Sequence, residues 1–199
     1  GTTGAFKLAG IAYVPNATSV LKFVSTSGGV CNITTAAKRM GLMTFDGVGG
    51  SWAFLDACDN IDAATINVTN GSLNTGGFTM GNLSGVGFSS ANSNTRSLTL
   101  GASTWKITSS GANTGWDIST STGMTLSAAS STILSTTAAG TPVFKGGGLT
   151  YGTLTSTAIT TGNLAISDAN TFGTLTLSSA GTLKTATSGY SLAANQTVT

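Results

Sequence analysis

Three observations in this sequence predict an all-β protein, specifically a parallel β-helix. First, Thr150-Tyr151-Gly152-Thr153-Leu154-Thr155 returns as Thr171-Phe172-Gly173-Thr174-Leu175-Thr176, an offset of 21 residues from 154 to 175. Recurrence at roughly 20 to 50 residues marks stacked structural units. Second, most apolar segments read apolar-x-apolar with Thr, Ser or Asn between them, the period that puts alternate side chains on opposite faces of a strand. Third, only 7% of residues are charged and 28 of 199 are glycine, whereas about 25% charged residues are usual in globular domains. Disorder needs low hydrophobicity and high net charge. Here 40% of residues are hydrophobic and the net charge is +2. A neutral, Thr-rich, Gly-punctuated chain suits strands joined by tight turns.

Residues 1 to about 30 are the least periodic. Phe6, Leu8, Ile11, Tyr13 and Val14 supply apolar surface, Pro15-Asn16 reads as a turn, and Val20–Val24 reads as a strand closed by Ser27-Gly28-Gly29. Ala36–Met43 holds good helix formers, but it is short and runs straight into Leu42-Met43-Thr44-Phe45. It is read as a turn, or a single helical turn, leading into a strand. From Phe45 onward short strands alternate with polar turns. Ala64–Thr69 alternates cleanly before Asn70-Gly71, a strong turn signal. The strong strand cores start at Ile66, Leu98, Met124, Leu154 and Leu175. Their unequal spacings are read as successive solenoid turns with loops of variable length, weaker strands lying between them. The expected division is an irregular N-terminal segment or cap at 1–44 and β-helix repeats at 45–199. Hairpins in a sandwich would also give short strands, but the internal repeat and the lack of a Cys…Trp…Cys framework favour the coil.

Several function classes are disfavoured. The eight Lys and Arg are scattered apart from Lys38-Arg39, and binding nucleic acid needs several phosphates neutralised together. No apolar run approaches the roughly 20 residues of a membrane-spanning helix. Histidine is absent, which removes Ser-His-Asp and Cys-His catalysis within this chain. Cys31 and Cys58 have no CxxC spacing and make a poor zinc site. They are read as two small buried side chains, with a disulfide as the alternative. Gly146-Gly147-Gly148 lacks the Lys-Ser/Thr of a phosphate loop and reads as a bend between rungs. No cofactor and no metal is expected. The abrupt start at Gly1-Thr2-Thr3-Gly4 and the strand-like stop at Gln196–Thr199 suggest a segment of a longer polypeptide. The N-x-S/T triplets at Asn16, Asn32, Asn67, Asn70, Asn82 and Asn195 matter only in a secretory cell.

Four phrases resemble a repeat style of bacteriophage virion proteins and related bacterial surface proteins. They are Thr44–Trp52 (TFDGVGGSW), Ser93–Thr104 (SNTRSLTLGAST), Phe144–Tyr151 (FKGGGLTY) and Asn170–Leu175 (NTFGTL). The resemblance spans about 45 to 199 and concerns repeat style, with no signature site. It implies a right-handed β-helix in a fibre, spike or capsid-attached appendage, often a homotrimer beside other virion proteins. It also implies an extracellular particle as the location, with contact to host-surface polysaccharide through loops. The alternatives are a bacterial surface adhesin of the same architecture, and a tailspike-like polysaccharide depolymerase.

The depolymerase reading needs two carboxylates about 5 to 9.5 Å apart. Asp56, Asp59 and Asp62 form the only acidic cluster, with Asp46 nearby. The plainer reading is a polar loop whose aspartates accept backbone N–H bonds. The same cluster is a weaker candidate for Ca²⁺, without EF-hand spacing. Sugar platforms would be aromatic. Among Trp52, Trp105, Trp116, Tyr13, Tyr151 and Tyr190, Trp116 is expected to be the exposed one, because Asn113-Thr114-Gly115-Trp116-Asp117 looks like a loop.

Overall fold

A computed structural model of the chain describes residues 4–10, 15, 19–61, 65–81, 87–108, 114–136, 142–157, 163–177, 182–185 and 197–198. Within these, all regular structure is β, and the strands stack in parallel as a β-solenoid of about six turns. The strands are β1 (Ala5–Lys7), β2 (Val20–Phe23), β3 (Val30–Thr34), β4 (Leu42–Phe54), β5 (Ile66–Asn74), β6 (Met80–Gly81), β7 (Phe88–Ser89), β8 (Arg96–Thr99) and β9 (Thr104–Ile107). They continue as β10 (Thr114–Asp117), β11 (Met124–Ser127), β12 (Thr132–Ser135), β13 (Val143–Lys145), β14 (Thr150–Ser156), β15 (Asn163–Ser167), β16 (Thr171–Leu177), β17 (Thr182–Thr185) and β18 (Thr197–Val198).

The strands line three faces. The first runs β2, the start of β4, the start of β5, β7, β10, β13, β15 and β17. The second runs β1, β3, the end of β4, the end of β5, β8 and β11. The third runs β6, β9, β12, β14, β16 and β18. β4 and β5 turn the corner from first face to second without breaking. After β11 the second face gains no further strand among the described residues, and the rung shortens accordingly. Trp105 pairs with Ile133, 28 residues on, whereas Ile133 pairs with Leu154 after 21.

The 21-residue repeat is one rung: Thr150, Tyr151 and Leu154 lie in register with Thr171, Phe172 and Leu175. The other strong cores are not successive turns of one face. Ile66 pairs with Met43 and Phe88, and Leu98 with Leu73 and Leu126. Residues 66, 98 and 154 therefore sit on the first, second and third faces, and Met124 stacks beside Arg96 rather than Leu98. The ladder also does not begin at residue 45. β1, β2 and β3 already pair in parallel with it, and a boundary at 44/45 falls inside β4. The segment around Ala36 is a turn, as expected, with Ala36 and Ala37 at φ of 53° and 56°.

Alternation sends every second side chain inward. In Trp105 and Ile107, or Leu98 and Leu100, the inward residues are fully buried while their neighbours are half-exposed or exposed. The core carries two runs of aromatic contacts. One links Phe6, Phe23, Phe45, Trp52 and Phe54. The other links Phe88, Trp105, Trp116, Phe144, Tyr151 and Phe172. Each such pair adds about 0.5–1.5 kcal/mol beyond its burial. Outward hydroxyls and amides bond between rungs, as in Ser97 Oγ to Ser72 Oγ at 2.8 Å and Asn70 Nδ2 to Asp46 Oδ1 at 2.7 Å. At the corner between second and third faces, buried Thr75 and Ser103 share a hydroxyl bond of 2.6 Å. No helix among the described residues is long and apolar enough to cross a membrane.

Candidate functional site

The acidic cluster is dispersed by the fold. Asp56 sits at the corner after β4, and both its oxygens accept bonds from the preceding rung. Oδ1 takes the Thr35 N–H at 2.8 Å and Oδ2 the Ala36 N–H at 2.6 Å. The Thr35 hydroxyl donates to the Ala57 carbonyl at 2.8 Å, with Asp56 Oδ1 at 3.2 Å. Asp56 therefore holds the positive-φ turn at Ala36-Ala37. Asp59 is exposed, and Asp62 lies outside the described residues. Asp46 bonds Lys22 Nζ at 2.8 Å and Asn70. These two hydrogen bonds, that to Lys22 foremost, hold its carboxyl below the ordinary carboxylate range. Among the described residues no group of three His, Cys, Asp or Glu side chains could share a metal ion.

Trp116 is buried, contrary to its loop-like sequence context. It is 0% exposed and lies 4.5 Å from the Phe88 ring and 6.0 Å from that of Phe144. Its indole N–H donates to the Tyr151 hydroxyl at 3.3 Å, which itself donates to the Gly146 carbonyl at 2.9 Å. Burial also pushes the Tyr151 phenol well above its usual range. A glycan cannot stack on a ring with no free face, so Trp116 is a core residue. Trp52, Trp105 and Tyr151 are buried with it, while Tyr13 and Tyr190 lie outside the described residues. The cysteines are unpaired. Cys58 is buried beside Met80, and burial raises its thiol far above the ordinary range. Gly146–Gly148 forms the expected bend, with Gly147 and Gly148 N–H groups bound by Asp168 and Asn170 at 2.9 and 3.0 Å.

Among the described residues, a notch of about 490 Å³ opens on the corner between first and second faces. Unequal corner lengths create it. Residues 47–50 bulge outward against the single Gly71, because Asp46 pairs with Asn70 and Ser51 with Ser72. One rung further, residues 90–95 span a gap that 68–70 close directly. The intervening corner can be this tight because Gly71 adopts φ 79°, a region that favours glycine. A Cβ there would come within 2.6 Å of the Gly47 and Gly50 carbonyl oxygens. The walls are thus Val48-Gly49 and Ser93–Thr95, and the floor is Asn70–Ser72, Ser97 and Thr125.

Arg96 holds the second wall in place, and the sequence reading missed it. The side chain is 2% exposed and faces inward beside Leu98. Its Nε donates to Ser90 Oγ at 2.6 Å. Nη1 donates to the Asn94 and Thr122 carbonyls at 2.8 Å each, and Nη2 to those of Ser90 and Thr120 at 2.6 Å each. All five guanidinium N–H groups are thereby used. Burial lowers the Arg96 pKa, although guanidinium remains charged at any ordinary pH. One side chain so ties the 90–95 loop to the corner of the next rung.

No known family's sequence profile matches the chain, and neither curated proteins nor solved structures give a match.

Proposed function

We propose that this chain is a rigid structural segment of a bacteriophage virion appendage, a fibre, spike or capsid-attached protein whose work is mechanical. In this reading it assembles as a homotrimer with other virion proteins on an extracellular particle. The observation that carries it is Asp56. The most acidic stretch of the chain spends its half-buried carboxylate, Asp56, on closing a turn, as a scaffold would and a hydrolase would not. A continuous apolar stack bound by parallel ladders supports the same reading, because each rung is held against its neighbours along the described length. The repeat phrases supply the phage setting.

The test is immunogold labelling of particles from the source with antibody raised against this chain, joined to sedimentation of the complete protein. Decoration of a particle appendage and a mass of three chains are expected. Label found only on bacterial cells would favour the adhesin. Release of reducing ends from capsular polysaccharide, lost in Asp59→Asn, would favour the depolymerase. Either result overturns the proposal.

A further inference from the structure

We infer that the notch between Val48 and Ser93–Thr95 is a binding site for a short uncharged sugar segment. Its one cation, Arg96, has every N–H turned to a protein acceptor, so an anion finds no free charge there. No carboxylate among the described residues lines it, so a cation finds no partner charge either. Val48, 72% exposed, is the single large apolar side chain in its walls, too little for a hydrophobic ligand. The floor is the flat of β5, β8 and β11, which offers an occupant side chains; a peptide strand would join instead at the outer edge of β11, unpaired among the described residues.

What remains is neutral hydrogen-bonding capacity. Ser97 donates to Ser72, leaving the Ser72 proton to point onward. Asn70 and Asn94 each spend one amide N–H, on Asp46 and on the Thr69 carbonyl, leaving the second N–H as a donor and the side-chain oxygen as an acceptor. Ser93, Thr95 and Thr125 present exposed hydroxyls. Ser72, Ser97 and Thr125 stand in register on consecutive rungs, so their hydroxyls span about 10 Å at the usual strand spacing. Two linked pyranose rings cover such a span. The volume lies within the roughly 300–1,000 Å³ of small-ligand sites. The walls are pre-set, because Arg96 fixes one and Gly71 admits the other. With no aromatic ring in the lining among the described residues, a single site binds weakly, with a Kd of about 1 mM or higher. Repetition on a trimer would raise the effective affinity. The inference deepens the appendage reading by naming a ligand class, and its test uses the purified chain, so its failure is separate from that of particle labelling.

The experiment is titration of ¹⁵N-labelled protein with cellobiose, maltose, lactose and diacetylchitobiose, each to about 50 mM, with dextran as a polymeric probe and a glucuronate disaccharide as the charged comparison. Amide shifts confined to residues 48–49, 70–72, 93–97 and 125 are expected with at least one neutral probe. A response to dextran alone assigns the site to polymer, and a response to a disaccharide assigns it to a free or terminal sugar. Thr125→Arg, which lays a long side chain across the floor, weakens binding about tenfold or more. Thr153→Arg, on the third face, leaves it unchanged. Should Thr125→Arg lose its β-type circular dichroism, Val48→Arg in the exposed wall replaces it. The inference is overturned by silence with every neutral probe, by shifts elsewhere on the rod, by a response to glucuronate only, or by unchanged affinity in the blocking variant.

Discussion

Asp56 Oδ2 accepts the backbone N–H of Ala36 at 2.6 Å, and Ala36 sits at φ 53°. An L-residue in that region costs about 1–2 kcal/mol, so the carboxylate stabilises a turn that local propensity opposes. Asp56→Ala is expected to lower stability by about 2–3 kcal/mol, since the lost bonds involve a charged acceptor. Asp56→Asn recovers part of this, because an amide oxygen still accepts one N–H. Urea midpoints of the three proteins check the order. Equal midpoints would show that the turn stands without its aspartate.

Trp52, Trp105 and Trp116 are each no more than 1% exposed. Native fluorescence should therefore be blue-shifted and almost insensitive to acrylamide, becoming quenchable only on unfolding. Cys58, 2% exposed with its thiol pushed up by burial, should escape alkylation at neutral pH for as long as the fold persists. Peptide mass spectrometry after iodoacetamide reads this directly. Rapid native labelling of Cys58 would contradict the packing described.

Arg96→Met is expected to destabilise the chain by about 2–4 kcal/mol, because it leaves the buried Ser90 hydroxyl and carbonyl, and three part-buried carbonyls, without their donor. Arg96→Lys should fall between, having three N–H donors in place of five. Hydrogen exchange should quicken first in residues 90–95 and 118–123, the two corners this side chain joins. Uniform acceleration along the whole rod would argue against a local staple.

Asp46 and Lys22 predict a pH dependence. Hydrogen bonds to Lys22 and then Asn70 lower the folded pKa of Asp46 below its ordinary 3.8. A lowered acid contributes stability that is complete above the unfolded value and disappears as pH falls through the folded one. The stability difference between wild type and Lys22→Met should therefore be constant from neutral pH to about 5, begin to shrink near the unfolded value of 3.8, and vanish only once the pH lies below the lowered folded value. The pair is partly solvated, with Lys22 54% exposed, so the effect is small and added salt should shrink it. Denaturant midpoints across pH 2–7 check both the sign and the window.

Much of the fold was legible because alternation is local. Thr153-Leu154-Thr155 declares its own inside and outside, and a 21-residue echo declares its neighbour. Trp116 was illegible for a definable reason. Thr114 pairs with Val143 and Trp116 with Phe144, two residues against one, so a bulge at Gly115 interrupts the period of two. The strand then buries Gly115 and Trp116 in succession, which no alternation rule anticipates. Arg96 was legible in part. It stands two residues before Leu98 and shares its inward phase, but a charged residue in a polar context reads as surface until its five acceptors are known.

The sequence by itself determined the class of architecture, the rung length at the 150–177 repeat and the inward face of most strands. These follow from side-chain periodicity and from a composition that offers little charge and many turns. Tertiary structure alone decided which strand stacks on which, that Asp56 closes a turn, that Arg96 is a buried staple and that a notch opens over Gly71. Each of these depends on residues 20 to 30 positions apart being brought to adjacent rungs. That juxtaposition is set by corner lengths summed around a whole turn, a quantity that no short window of sequence contains.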